Sequence, residues 1–370
     1  MTDLVGELRL RRLVRELDPI RRPGAGRPTR PIALDGDPWC VLGVHIEVDR
    51  LAFVGCTVGG RELWREEVPA DFSASTGENG YAVVEAPLSR QLERVPASMT
   101  LVAVEVGLHG YVTSDGGTTG SAAAFGWTDV PLGRWIAETL LEVGIPNAHV
   151  GVDTECHLSA LHAARLELDL PASSVAAYLG GLRYIESGVI VDGDIYRGAN
   201  GGAGDFAHLN LDPAGPTDFC GRAGCLESLV GPKRLLVQSG LRKREEAEDL
   251  VRDSPRDALD LVVRAAEAGD QTALSALGVG GQALGRAVDD IIGILNPHAV
   301  ILGGYLGLLS PYLMPGVEAA IAERVRVGTF RGTTVVALPA ILPRVVGGAT
   351  LAARDACLYD PLGLTNPIPA

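Results

Sequence analysis

A chain of 370 residues, 46% hydrophobic and 21% charged, with 47 Gly and 23 Pro, has the make-up of a folded α/β protein with more than one core. That composition excludes a disordered, fibrous or small disulfide-stapled chain. The net charge of −14 excludes a body built to wrap nucleic acid, although it is uneven: Met1 to Pro31 carries eight Arg against four acids, a local +4 that leaves −18 on the remainder. Such asymmetry suits a basic segment that meets DNA or a membrane surface, or equally a solvated tail. No stretch reaches the roughly 20 uncharged apolar residues that span a bilayer. The six Cys are scattered apart from one close pair, and no apolar leader follows Met1, which points to a reducing cytosol.

In chain order, Leu4, Val5, Leu8, Leu13, Val14 and Leu17 recur at helical spacing before Asp18-Pro19 and the turn-rich run Arg21 to Pro28, too little for a domain. Val41 to Val44 and Leu51 to Val54 read as two strands of a hairpin, with Gly59-Gly60 as the next turn. Leu101 to Val106 reads as a buried strand, Leu132 to Val143 as an amphipathic helix, and Ala148 to Val152 as a strand entering a helix over Cys156 to Leu168. The second half repeats this grammar. Val175 to Leu179 and Ser187 to Val191 are strands, the latter meeting the turn Asp192-Gly193. Leu229 to Gln238, Asp257 to Gly269 and Ala273 to Leu295 are helices, and Asn296-Pro297 ends the last before the strand Ala299 to Leu302. Alternating strands and helices predict two α/β halves with a cleft between them.

The densest chemistry lies between Ala207-His208 and Cys220-Gly221-Arg222-Ala223-Gly224-Cys225-Leu226-Glu227. One His and two Cys, the Cys separated by a Gly-bearing knuckle, suit tetrahedral Zn²⁺, with Asp218 able to supply the fourth ligand. A metal clip would offset the ordering entropy of a stretch holding Pro213, Gly215 and Pro216, so a structural zinc is expected, against two buried free thiols near an unrelated His.

Gly204-Asp205-Phe206-Ala207-His208 followed by Cys220 to Ser228 resembles the zinc-knuckle motif of the ROK family, which pools repressors and sugar kinases. Phe125 to Leu132 is similar to the Gly-Trp-x-Asp-Val-Pro-Leu segment of ROK repressors, Val191 to Gly198 to the strand and turn before the knuckle, and Leu295-Asn296-Pro297 through Gly303-Gly304 to the late Asn-Pro and Gly-Gly segment. The likeness runs from about residue 37 to the C-terminus. It implies an α/β, actin-like (ribonuclease H-like) pair of lobes, with one lobe over 37–152 rejoined by a helix at about 345–358 and the other over 153–344.

Where the kinases of that family carry an Asp-x-Gly-x-Thr loop for the ATP phosphates, the chain has Gly43-Val44-His45-Ile46-Glu47-Val48-Asp49. His45 stands for the Asp, and Glu47 sets a carboxylate where phosphate would enter. The second, normally Gly-rich loop is Arg183-Tyr184-Ile185-Glu186-Ser187-Gly188, again bulky and acidic. The catalytic Asn-Asp pair is replaced by Thr154-Glu155, a vestigial base position that also suits a helix cap. The positions that contact sugar hydroxyls in the family fall on Asp205, His208 and Glu227, which with Thr154 and Glu155 make the expected ligand set. The remaining singletons, His109 and Cys156 among them, carry no expected role.

Thr2 to Leu8 resembles the tail of the recognition helix in a ROK repressor's winged helix-turn-helix, Leu13 to Leu17 the first wing strand and Gly26-Arg27-Pro28 the far side of the wing. The resemblance implies that residues 1–36 are a remnant of that head, from a misassigned start or a true truncation, with Thr2, Arg9 and Arg27 as DNA contacts. The expected protein is a cytoplasmic ROK transcriptional regulator without kinase activity. It would be a homodimer or dimer of dimers that binds a DNA operator, senses a small carbohydrate-like effector in its cleft, carries one structural zinc per chain and has no membrane partner. The alternatives are a diverged sugar kinase using Glu155 as base, and a ligand-binding module without a DNA head.

Overall fold

A computed structural model describes residues 2–20, 30–72, 78–113, 117–218, 220–326, 332–338 and 344–364. The chain divides into two compact units, Met1–Leu158 with Arg344–Ala370, and Ser159–Pro343.

The first unit opens with α1 (Thr2–Leu10), which stops where Arg12 takes a positive φ of 53°. A two-stranded antiparallel ribbon follows, β1 (Val14–Glu16) against β2 (Ile32–Leu34), with Val14 opposite Leu34. This segment is docked onto its own unit: Leu13 is buried with Trp39, Val41 and Val58, and Trp39 Nε1 donates to the Arg11 carbonyl at 2.6 Å. Helical spacing alone would have carried α1 through Leu17; the ribbon wins because Leu13 gains a core that a surface helix would not offer it.

The meander β3 (Trp39–Ile46), β4 (Arg50–Thr57) and β5 (Glu62–Pro69) comes next, then α2 (Glu78–Leu92) and β6 (Thr100–Leu108). A small sheet of β7 (Tyr111–Val112), β8 (Thr119–Ala122) and β9 (Trp127–Val130) leads to α3 (Leu132–Glu142), β10 (His149–Thr154) and α4 (Glu155–His162). The main sheet has the order β10-β6-β3-β4-β5, parallel from β10 to β3 and antiparallel beyond. Every residue of β3 is buried, the mark of a central strand covered on both faces.

The second unit contains β11 (Val175–Gly180), β12 (Glu186–Val191) and β13 (Asp194–Ile195), then α5 (Leu226–Val230), α6 (Pro232–Gln238), α7 (Arg244–Asp253), α8 (Pro255–Glu267) and α9 (Gln271–Leu295). It ends with β14 (Ala299–Leu302), α10 (Gly304–Leu308), α11 (Ser310–Arg326) and β15 (Thr334–Ala337), after which α12 (Arg344–Tyr359) returns to pack on β3 and β6, followed by α13 (Pro361–Leu364). Its sheet runs β13-β12-β11-β14-β15. Both units therefore share one strand order, third, second, first, fourth, fifth, with the fourth and fifth strands parallel to the first. The β12–β13 turn places Asp192 and Gly193 both at positive φ, which is why that dipeptide closes a tight hairpin.

The expected helix Leu229 to Gln238 is two helices. Gly231 is extended at φ −60°, ψ 155°, and Pro232 opens a fresh first turn, since the residue before a proline is pushed out of the helical region. The helix after β10 begins at Glu155 and widens into a π turn over Ala163–Glu167. At the start of α9, Asp270 accepts from the Thr272 and Ala273 amides at 2.8 and 3.0 Å. Asp270→Ala is expected to cost about 1 kcal/mol in urea unfolding, the usual value of one helix cap.

Candidate functional site

In the first unit, the parallel register of β3, β6 and β10 brings the β3–β4 turn, the end of β6 and the start of α4 together. Thr154 ends β10 and caps α4: its Oγ1 accepts from the His157 amide at 3.3 Å. Asp153 Oδ1 locks the same junction by accepting from the Thr154 amide at 2.7 Å and pairing with His157 Nδ1 at 2.6 Å, both side chains buried. Glu155 follows at the first helical position. Its Oε2 lies 3.2 Å from His45 Nε2, and its Oε1 lies 3.9 Å from His109 Nδ1. His45 is buried, and its other ring nitrogen lies 3.4 Å from Glu47 Oε1.

Arg50 holds the second Glu47 oxygen through Nε and Nη2 at 3.1 and 3.0 Å. The Glu47 amide donates to the Arg50 carbonyl at 2.9 Å, closing the β3–β4 hairpin. His109, which showed no local signal in sequence, thus shares the Glu155 carboxylate.

In the second unit, backbone bonds fold the knuckle. Bridges join Asn210 to Cys225 and Thr217 to Ala223, the Leu226 amide donates to the Leu209 carbonyl at 3.0 Å, and the Gly224 amide to Pro216 at 2.8 Å. Gly224 sits at φ +63°, and a Cβ there would stand 1.6 Å from the Asp212 carbonyl oxygen, so only glycine fits. The result gathers His208, Cys220 and Cys225, with one donor atom from each within 4.8 Å of the others. The two sulfurs are 3.7 Å apart, close to the roughly 3.8 Å that separates two thiolates bound at about 2.3 Å around one tetrahedral Zn²⁺. Burial, together with the neighbouring Cys220 thiol, pushes the Cys225 thiol up, although hydrogen bonds from Ser228 oppose the shift. This donor set could hold a metal ion and fits zinc chemically.

Asp218 stands outside that group. Its Oδ1 takes an ion pair from Lys233 Nζ at 3.0 Å, which draws the carboxylate away from the role of fourth ligand. Of the expected hydroxyl-binding residues, Asp205 is exposed at the head of the turn Phe206–His208 and makes no side-chain cap. Glu227 is buried in α5, where its Oε2 accepts from the Ile185 amide at 2.6 Å. Burial pushes Glu227 up to about 8, with Asp218 adding and the Ile185 amide and Lys233 opposing. Among the expected DNA contacts, Arg9 is half exposed and donates to Glu16 Oε1 at 2.7 Å. Thr2 begins α1, and Arg27 lies outside the described residues.

Two mixed sheets of one strand order, with a His-Cys-Cys knuckle inserted after the hairpin of the second, define the actin-like class shared by sugar kinases and transcriptional regulators. The chain belongs to the ROK family, whose pattern matches residues 57–349. It is 28% identical to the transcriptional regulator Rv0485 of Mycobacterium tuberculosis over 95% of this chain and 77% of that protein. It is 25% identical to a glucokinase of Halalkalibacterium halodurans over 72% of this chain and 80% of that one. Among solved structures, a ROK transcriptional regulator homologous to the MLC protein of E. coli superposes with a TM-score of 0.77 at 20% identity, covering 98% of this chain and 89% of its own.

The Glu227 shift has a sign that can be measured. A carboxyl protonated in the fold up to about pH 8, but ionised in the unfolded chain above about 4.5, binds more protons when folded. Stability is therefore expected to fall as pH rises through that window, by up to about 5 kcal/mol, and to stay low above it. Urea unfolding between pH 5 and 8.5 is expected to show this slope in the parent and a flatter one in Glu227→Gln.

Proposed function

We propose that the protein is a ROK transcriptional regulator that does not transfer phosphate. The observation that carries this reading is the His45–Glu155 contact at 3.2 Å. A catalytic base must present a free carboxylate oxygen to the attacking hydroxyl, whereas Glu155 has one oxygen on His45 and the other facing His109. Two amides that could cradle phosphates are spent on the Arg50 carbonyl and on Glu227, and Glu47 brings negative charge to the first of those turns.

The helix α1 followed by the β1–β2 ribbon supports a reading of residues 1–36 as part of a winged helix-turn-helix, and the lobes expected over 37–152 and 153–344 are redrawn with the division after Leu158. Arg9 and Arg27 would then face the DNA backbone from the helix and the wing, with Thr2 at the helix start. The effector we infer is a small carbohydrate-like molecule, whose hydroxyls would meet acceptors at Asp205, His208 and Glu227. His208, Cys220 and Cys225 would hold one structural zinc, which when bound supplies the positive charge that keeps both thiols ionised. Reduced thiols of that kind agree with a cytoplasmic protein, and a regulator of palindromic DNA would act as a homodimer or dimer of dimers.

Isothermal titration with Mg-ATP is expected to show no saturable binding, with and without a hexose; saturable binding with phosphate transfer would overturn the reading in favour of a kinase. Elemental analysis is expected to find one zinc per chain in the parent and its loss in Cys220→Ser and Cys225→Ser. Operator binding, if present, should weaken steeply with added salt.

A further inference from the structure

Beside the knuckle, a small recess of about 30 Å³ is walled by Asp218, Glu227, Ser228, Lys233, Arg234 and Arg244. Its three cations are not alike. Lys233 is committed to Asp218 at 3.0 Å and reaches Glu248 at 3.8 Å. Arg234 and Arg244 make no ion pair with any described residue; Arg234 donates only to the Gln238 side-chain oxygen, at 2.7 and 3.1 Å. Burial and the charge of Arg244 together hold the Arg234 guanidinium below its usual value, so the two like charges feel each other.

A fold seldom keeps two guanidiniums side by side without an anion between them, because their repulsion is uncompensated in a partly dry recess. The same wall holds an acceptor in want of a donor: Asp218 has a side chain only 5% exposed, and its Oδ2 has no hydrogen-bond partner among the described residues.

We propose that this recess binds a small oxyanion that carries its own acid proton or hydroxyl, seated on Arg234 and Arg244 with its O–H donated to Asp218 Oδ2. Hydrogen phosphate, a phosphate monoester bearing a hydroxyl and a hydroxycarboxylate all have that chemistry. The guanidinium pair would give planar, two-point recognition of the charged end, which a lysine ammonium would not. The site stands apart from the regulator reading and needs neither DNA nor metal, so a failure of either leaves it in place.

The test uses the full chain, titrated with inorganic phosphate and, separately, with glycolate, each exchanged for chloride at constant ionic strength, with thermal unfolding and calorimetry as readouts. Saturable stabilisation by at least one of the two is expected, and the stronger one tells phosphate chemistry from carboxylate chemistry. Arg234→Gln and Arg244→Gln should each weaken it at least tenfold, while Arg256→Gln, an exposed position on α8 outside the recess, should leave it unchanged. Without the anion, Arg244→Gln should be no less stable than the parent, because it removes one of two repelling charges. No saturable response to either anion, or a response that both recess variants retain, overturns the proposal.

Discussion

What the first unit can do turns on one hydrogen-bonded contact, His45 Nε2 to Glu155 Oε2. The strands β3, β6 and β10 run parallel in fixed register, so their C-terminal ends converge, and this is where open α/β sheets place ligands. Here that place is taken up by side chains that satisfy one another. Glu47, His45, Glu155 and His109 form an alternating acid–imidazole series, with Arg50 at one end. The His45–Glu155 and Arg50–Glu47 hydrogen bonds engage both carboxylates, and a ligand that entered would have to break them as well as displace water.

The second unit solves a different problem by related means. Between β13 and α5 about 30 residues run with little regular structure, and an irregular stretch of that length needs something to hold it. Backbone pairing around Gly224, the burial of Leu226 and the His208-Cys220-Cys225 group together supply it. Glu227 extends the same economy: one buried carboxyl braces the Ile185 amide of the β11–β12 turn, and burial keeps that carboxyl protonated at neutral pH.

Much of this was legible before any coordinates. The two Cys separated by a Gly-bearing turn are a local signal, and so is the Thr154-Glu155 helix start, because caps and knuckles are written in neighbouring residues. The two α/β units followed from alternating strands and helices. The meeting of residues 45 and 155 was not legible, since it depends on the register of three strands far apart in the chain. Likewise Asp218 carries the right chemistry for a metal, but Lys233, a turn beyond α5, decides where its carboxylate goes. Helical spacing alone ran past the α1 to β1 break, whereas the likeness of Thr2 to Leu8 to a helix tail and of Leu13 to Leu17 to a wing strand marked it.

The docking of the basic leading segment has a mechanical meaning. Trp39 grips the Arg11 carbonyl from the first residue of a central strand, the Asp35 amide bonds the Leu13 carbonyl, and Leu13 is sunk among Val41, Val58 and Ala353. The segment is consequently keyed to its sheet like a spoke to a hub, and cannot swing as a leash would. Any tilt of that sheet would be delivered undamped to whatever α1 touches.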